Sequence, residues 1–72
     1  MKISDLKSFR DREVSLQLKD GEVPRGKVVF VDLEYEDIIV KVLETNQPEH
    51  YKDPNACYAI AASDIVNMRK LE

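Results

Sequence analysis

The chain has little of what small domains use to hold themselves together. It contains one cysteine, Cys57, so no internal disulfide can form. It contains one histidine, His50, and one histidine with one cysteine is too small a nitrogen and sulfur set for the usual tetrahedral structural zinc. No metal or cofactor is therefore expected. Tryptophan is absent, and glycine occurs only at Gly21 and Gly26. No internal repeat or low-complexity stretch is present. No apolar run approaches the roughly 20 residues that a membrane-spanning helix needs. The opening residues Met1, Lys2, Ile3, Ser4 and Asp5 lack the apolar stretch of a signal peptide. A free thiol without an export signal predicts a reducing, cytoplasmic setting.

What remains is a chain of 72 residues, enough for one domain spanning 1–72. A domain this short buries only about 60% of the surface its unfolded chain exposes, so it usually needs an additional staple. With disulfide and zinc excluded, that staple is expected to be a partner subunit. Net charge is −3, against a nonspecific nucleic-acid binder. The excess is local: Asp32, Glu34, Glu36 and Asp37 lie within six residues, and the rest of the chain holds ten acids against eleven bases. Such a run is either a solvated strand end or a surface that repels phosphate.

Residues 4–11 predict a short helix, with Ser4 as N-cap and Asp5 in the first turn. Ile3, Leu6 and Phe9 recur every three residues and form its apolar stripe. Residues 13–19 alternate, with Val14, Leu16 and Leu18 on one face, as a half-buried strand does. Asp20-Gly21 predicts a tight turn with left-handed backbone. Gly26 predicts a bend within the second strand, and Pro24 confines that strand's start to an edge or bulge. Val28 to Leu33 is apolar on both faces at first, so something must cover its outer side, either the helix or another subunit. Ile38 to Leu43 predicts a third strand, residues 45–55 a polar loop with two prolines, Ala56 to Ala62 a fourth strand, Ser63-Asp64 a turn, and Ile65 to Leu71 a fifth strand.

This order and several spacings resemble the Sm-like (LSm) family. Val14, Leu16, Leu18, Lys19, Asp20 and Gly21 match the start of that family's first motif, Gly26 follows five residues on, and Asp32 six beyond that. Tyr35 holds the apolar or aromatic position. Ile60, Ala61, Ala62, Ser63, Asp64 and Ile65 keep the length of the second motif and its outer apolar positions. The resemblance implies a mostly-β domain: a short N-terminal helix followed by a strongly bent five-stranded antiparallel SH3-like barrel. It also implies closure into a homo-oligomeric ring and binding of single-stranded RNA.

The departures concern the base pocket. In the family a stacking residue, an asparagine and an arginine hold a uridine. Here Glu36 stands where asparagine is expected and Ala61 where arginine is expected. A carboxylate accepts but does not donate, and alanine offers no charge. Tyr35 either stacks a base or packs at a turn. The nucleic-acid candidates are therefore Tyr35 and Glu36, with Lys7 and Arg10 on the helix, and binding is expected to be weak or atypical. The interface candidates are Tyr58, Ala59, Ile60 and Ala61 on the fourth strand with Val66 and Met68 on the fifth, paired edge to edge. The alternatives are a ring that binds protein rather than RNA, and a monomeric SH3-like adaptor. No nucleophile or histidine neighbours the acidic run, so no enzymatic activity is expected. Cys57 beside Tyr58 is expected to be a small buried residue, and His50 an exposed loop residue.

Overall fold

The computed structural model describes residues 1–53 and 55–71. Pro54, one of the two prolines of the expected loop, and Glu72 lie outside the described residues. The chain is mostly β. A 3₁₀ helix η1 (Ile3–Phe9) precedes β1 (Glu13–Leu18), β2 (Arg25–Asp32) and β3 (Asp37–Glu44). One-turn 3₁₀ helices η2 (Pro48–His50) and η3 (Ala62–Asp64) flank β4 (Tyr58–Ala61), and β5 (Ile65–Lys70) ends the fold.

The N-terminal helix is 3₁₀ rather than α, and its sequence shows why. Ile3, Leu6 and Phe9 keep a strict three-residue period, which matches the 3.0 residues per turn of a 3₁₀ helix. Leu6 is fully buried in the core, and Ile3 and Phe9 pack against it. The helix begins one residue before Ser4, which makes no side-chain cap. It ends before residue 11 because Asp11 turns into the left-handed region, with φ 65°.

All five strands belong to one antiparallel sheet, in the order β4-β3-β2-β1-β5. The outer strands β4 and β5 are consecutive in sequence, with only Ala62–Asp64 between them. A flat sheet of this order would set them roughly 19 Å apart at about 4.8 Å per strand. Three 3₁₀ residues rise only about 6 Å. The sheet must therefore curl until its two ends meet at one corner. Among the described residues β4 and β5 form no ladder with each other, so the sheet is curled but unclosed. Four bonds fix the corner. Ala62 N donates to Glu36 O (2.9 Å), Lys19 N donates to Asp64 O (3.0 Å), and the Met1 ammonium donates to Ala62 O and Ile65 O (2.9 and 2.8 Å).

Bulges supply the curvature. Register slips between Val28 and Phe30, between Arg25 and Gly26 and between Gln17 and Leu18. The first slip accounts for the apolar run on both faces of β2. Val28 is buried before it, and Val31 returns to the core side after it. Phe30 is turned outward, where the Arg10 guanidinium lies 5.3 Å from its ring centroid. The outer cover is thus Arg10 at the end of η1.

The two glycines serve different ends. Leu18 N donates to Glu22 O and Gly21 N to Leu18 O, which leaves Lys19, Asp20 and Gly21 as a three-residue hairpin loop. Only Gly21, at φ 91°, is left-handed there; Asp20 is not. Gly26 is needed for space: a methyl group on it would overlap the Lys41 carbonyl oxygen of β3 and lie 3.0 Å from Val40 Cγ1. The fourth strand is shorter than Ala56 to Ala62, and Ser63-Asp64 belongs to η3. Cys57 is exposed rather than buried, since it precedes β4 in the connecting loop. No helix among the described residues is long and apolar enough to cross a membrane.

Gly26→Ala should therefore destabilise the domain by about 1–3 kcal/mol through overpacking. In a domain of this size each 1 kcal/mol lowers the melting temperature by roughly 4–8 °C. Gly21→Asn should be milder, because no atom lies near and asparagine tolerates the left-handed region. Thermal melts of the two variants decide it: equal melting temperatures would show that β2 and β3 do not approach closely at Gly26.

Candidate functional site

The β2–β3 turn places two of the candidate residues. Asp32 and Asp37 pair across its base, and Asp32 Oδ1 accepts the N–H groups of Glu34 (3.0 Å) and Tyr35 (3.1 Å). This side-chain bond shapes the turn and holds Tyr35 outward, 74% exposed. Glu36 completes the turn in the left-handed region, at φ 53°. Its carbonyl carries the bond to Ala62 noted above. Asp37 lies directly opposite Ala61 in the β3–β4 register, and its buried Oδ1 has no hydrogen-bond partner among the described residues. Glu36 and Ala61, distant in sequence, are thus neighbours. Lys7 and Arg10 belong to η1 and its end, and Arg10 is already engaged on Phe30.

The edge candidates divide by side chain and backbone. Ile60 and Met68 are buried in the protein's own core, so only their backbones lie at the edges. Ala59 is exposed and Ala61 half-buried. Tyr58 packs its ring edge-on against Tyr51 at 4.9 Å, while its hydroxyl donates to Asp53 O and accepts from Asp53 N. Val66 is 54% exposed and is the extra residue of the β5 bulge. The edge of β5 is further blunted where Asn67 Oδ1 accepts the Met68 N–H at 2.9 Å.

A second constellation escapes sequence reasoning. Glu22, just after the first hairpin loop, is the one buried charged residue among those described, at 2% exposure. Its Oε2 accepts the Thr45 hydroxyl at 2.6 Å, and its Oε1 faces His50 Nδ1 at 3.0 Å. A carboxylate only accepts, so Nδ1 carries the proton in that contact. Asp20 Oδ1 accepts the Glu22 N–H (2.9 Å), and Asn46 Oδ1 accepts the Val23 N–H (2.8 Å). The long loop after β3 is thereby fastened to the first hairpin. The hydrogen bond that His50 donates to Glu22 raises its pKa above the usual 6.5, against a smaller opposing effect of burial; the charges of Glu22, Glu49 and Asp20 add to the rise. Tyr51 is held well above the normal tyrosine range, first by burial and then by hydrogen bonding to Glu22. Only the presence of a lone histidine hinted at this site, because its partners are 23 to 28 residues apart.

No protein-family model, curated protein or solved structure matches this chain. The chemistry of these two sites therefore has to be read from their own geometry.

Thr45→Val keeps the side-chain shape but leaves the buried Glu22 one donor short, and should cost about 1–3 kcal/mol. A melting temperature within error of the wild type would dismiss the buried clasp. Glu22→Gln should lower the His50 pKa toward its ordinary value, as read by NMR titration of the ring. The folded state gains from protonated His50 in full below the unfolded pKa and loses that gain as pH rises through the raised value.

Proposed function

We propose that the protein is a ring-forming, Sm-like module that binds single-stranded RNA weakly, with Tyr35 as its stacking platform. The observation that carries the reading is the corner where Glu36 O meets Ala62 N beneath the exposed Tyr35. It joins the two segments that carry the family resemblance, and the curled sheet leaves both of its edges unpaired. In this reading the sheet is a small Sm-like barrel completed by a neighbour: β4 of one subunit pairs with β5 of the next, and head-to-tail pairing closes a ring. The Met68 N–H would exchange Asn67 Oδ1 for a neighbour's carbonyl, one hydrogen bond for another, so the net cost is small. The activity is binding, without catalysis or cofactor, in the cytoplasm.

Stacking is tolerant of sequence because every base has a π-face. With Glu36 and Ala61 in place of the edge-reading donors, preference among bases should be slight. The acids from Asp32 to Asp37 repeat around a ring and oppose phosphate, while Lys7 and Arg10 supply a salt-dependent attraction. The competing reading, a ring or monomer that binds protein, is favoured by the exposed apolar side chains Val23, Leu33, Leu43 and Val66.

Light scattering should give a multimeric mass at micromolar concentration; a monomer removes the ring and leaves the adaptor. Oligo-U and oligo-A titrations at low and physiological salt should show weak, salt-sensitive binding that Tyr35→Ala reduces by at least about fivefold. Glu36→Asn suits the left-handed φ and should not lower stability. Ala61→Arg places an arginine opposite Asp37 in the β3–β4 register. The double variant should bind oligo-U more tightly and prefer it over oligo-A. A well-folded multimeric double variant that binds no RNA makes the protein-binding reading the better one.

A further inference from the structure

We propose that Asp20, Glu22 and His50 form a binding site for one divalent transition-metal cation of zinc-like, borderline softness. Each offers a ligand atom, and these atoms all lie within 4.8 Å of one another. Tetrahedral ligands about 2.0–2.2 Å from zinc sit roughly 3.3–3.6 Å apart. His50 Nδ1, 3.0 Å from Glu22 Oε1, has to open slightly and Asp20 to close in; both are exposed on connecting segments, while buried Glu22 stays fixed.

A second, independent observation is the burial of Glu22. A carboxylate removed from water requires countercharge. Among the described residues its only ion-pair partner is the exposed His50, while Thr45 and Tyr51 offer neutral hydroxyls. A divalent cation beside Oε1 supplies that countercharge directly. The supporting contacts already exist: Thr45 orients the far oxygen of Glu22, and Asp20 is fastened to the Glu22 N–H. Two carboxylates and one imidazole suit zinc, cobalt or manganese; calcium takes six to eight oxygens. The exposure of Asp20 and His50 leaves the other coordination positions to water. The inference does not depend on the RNA-binding reading.

The test uses the full, untagged chain with Cys57→Ser, which removes the exposed thiol as a competing soft ligand. Calorimetric titration should show one saturable equivalent of Zn2+, at least about tenfold tighter than Mg2+ or Ca2+, with a rise in melting temperature. Co2+ should give a visible spectrum that His50→Asn abolishes. Asp20→Asn keeps the acceptor for the Glu22 N–H and leaves the Glu22–His50 contact in place, so the fold is preserved. It should nevertheless weaken Zn2+ binding by about 10–100-fold. Absence of saturable Zn2+ binding overturns the proposal. So does binding that Asp20→Asn leaves unchanged, which would reduce the Glu22–His50 contact to a structural clasp.

Discussion

The three-residue connection between β4 and β5 is the constraint on which the rest of the structure depends. It joins the opposite ends of a five-stranded sheet, so the sheet can satisfy it only by curling. Curling brings Leu18, Ile38, Ile60 and Ile65 around one core instead of leaving them on an open face. Each bulge removes a conflict that a regular ladder would create. At Val29 the bulge lets one apolar strand serve two faces, and at Gly26 the missing side chain lets β3 come close. The N-terminal helix finishes the core with Leu6, and the Met1 ammonium reaches the same corner that the connection creates.

The loop after β3 is held by polar chemistry. A loop of mixed polar composition has little apolar surface with which to dock, so Glu22 replaces hydrophobic contact with a buried carboxylate and its donors. Such a group stabilises only while its partners are present, because an orphaned buried charge is far more costly than a lost surface contact.

The two candidate sites sit on elements of different kinds. Tyr35 projects from a turn held by Asp32, an arrangement that fixes an aromatic face without enclosing it. That suits a ligand met from solution, whether a base or a partner's side chain. The Glu22 constellation is partly enclosed and rich in acceptors, which suits a cation. The edges of the sheet carry both an invitation and a restraint: β4 is short and carries two alanines, Ala59 and Ala61, whereas β5 is bulged and self-capped at Met68.

Alternation and turn chemistry determined much of the architecture by themselves. Val14, Leu16 and Leu18 fixed the buried face of β1, Gly21 fixed the first turn, and the three-residue period of Ile3, Leu6 and Phe9 fixed a tight helix docked by one stripe. These are local properties, written in spacing. The bulge at Val29, the exposure of Cys57 and the burial of Glu22 were decided by tertiary structure. A glutamate beside a turn reads as solvated until a threonine and a histidine more than twenty residues away close over it. A search for nitrogen and sulfur ligands passes over a site made mainly of carboxylates for the same reason. Likewise Glu36 and Ala61 become neighbours only because three residues force the sheet to curl, and no periodicity in either segment records that constraint.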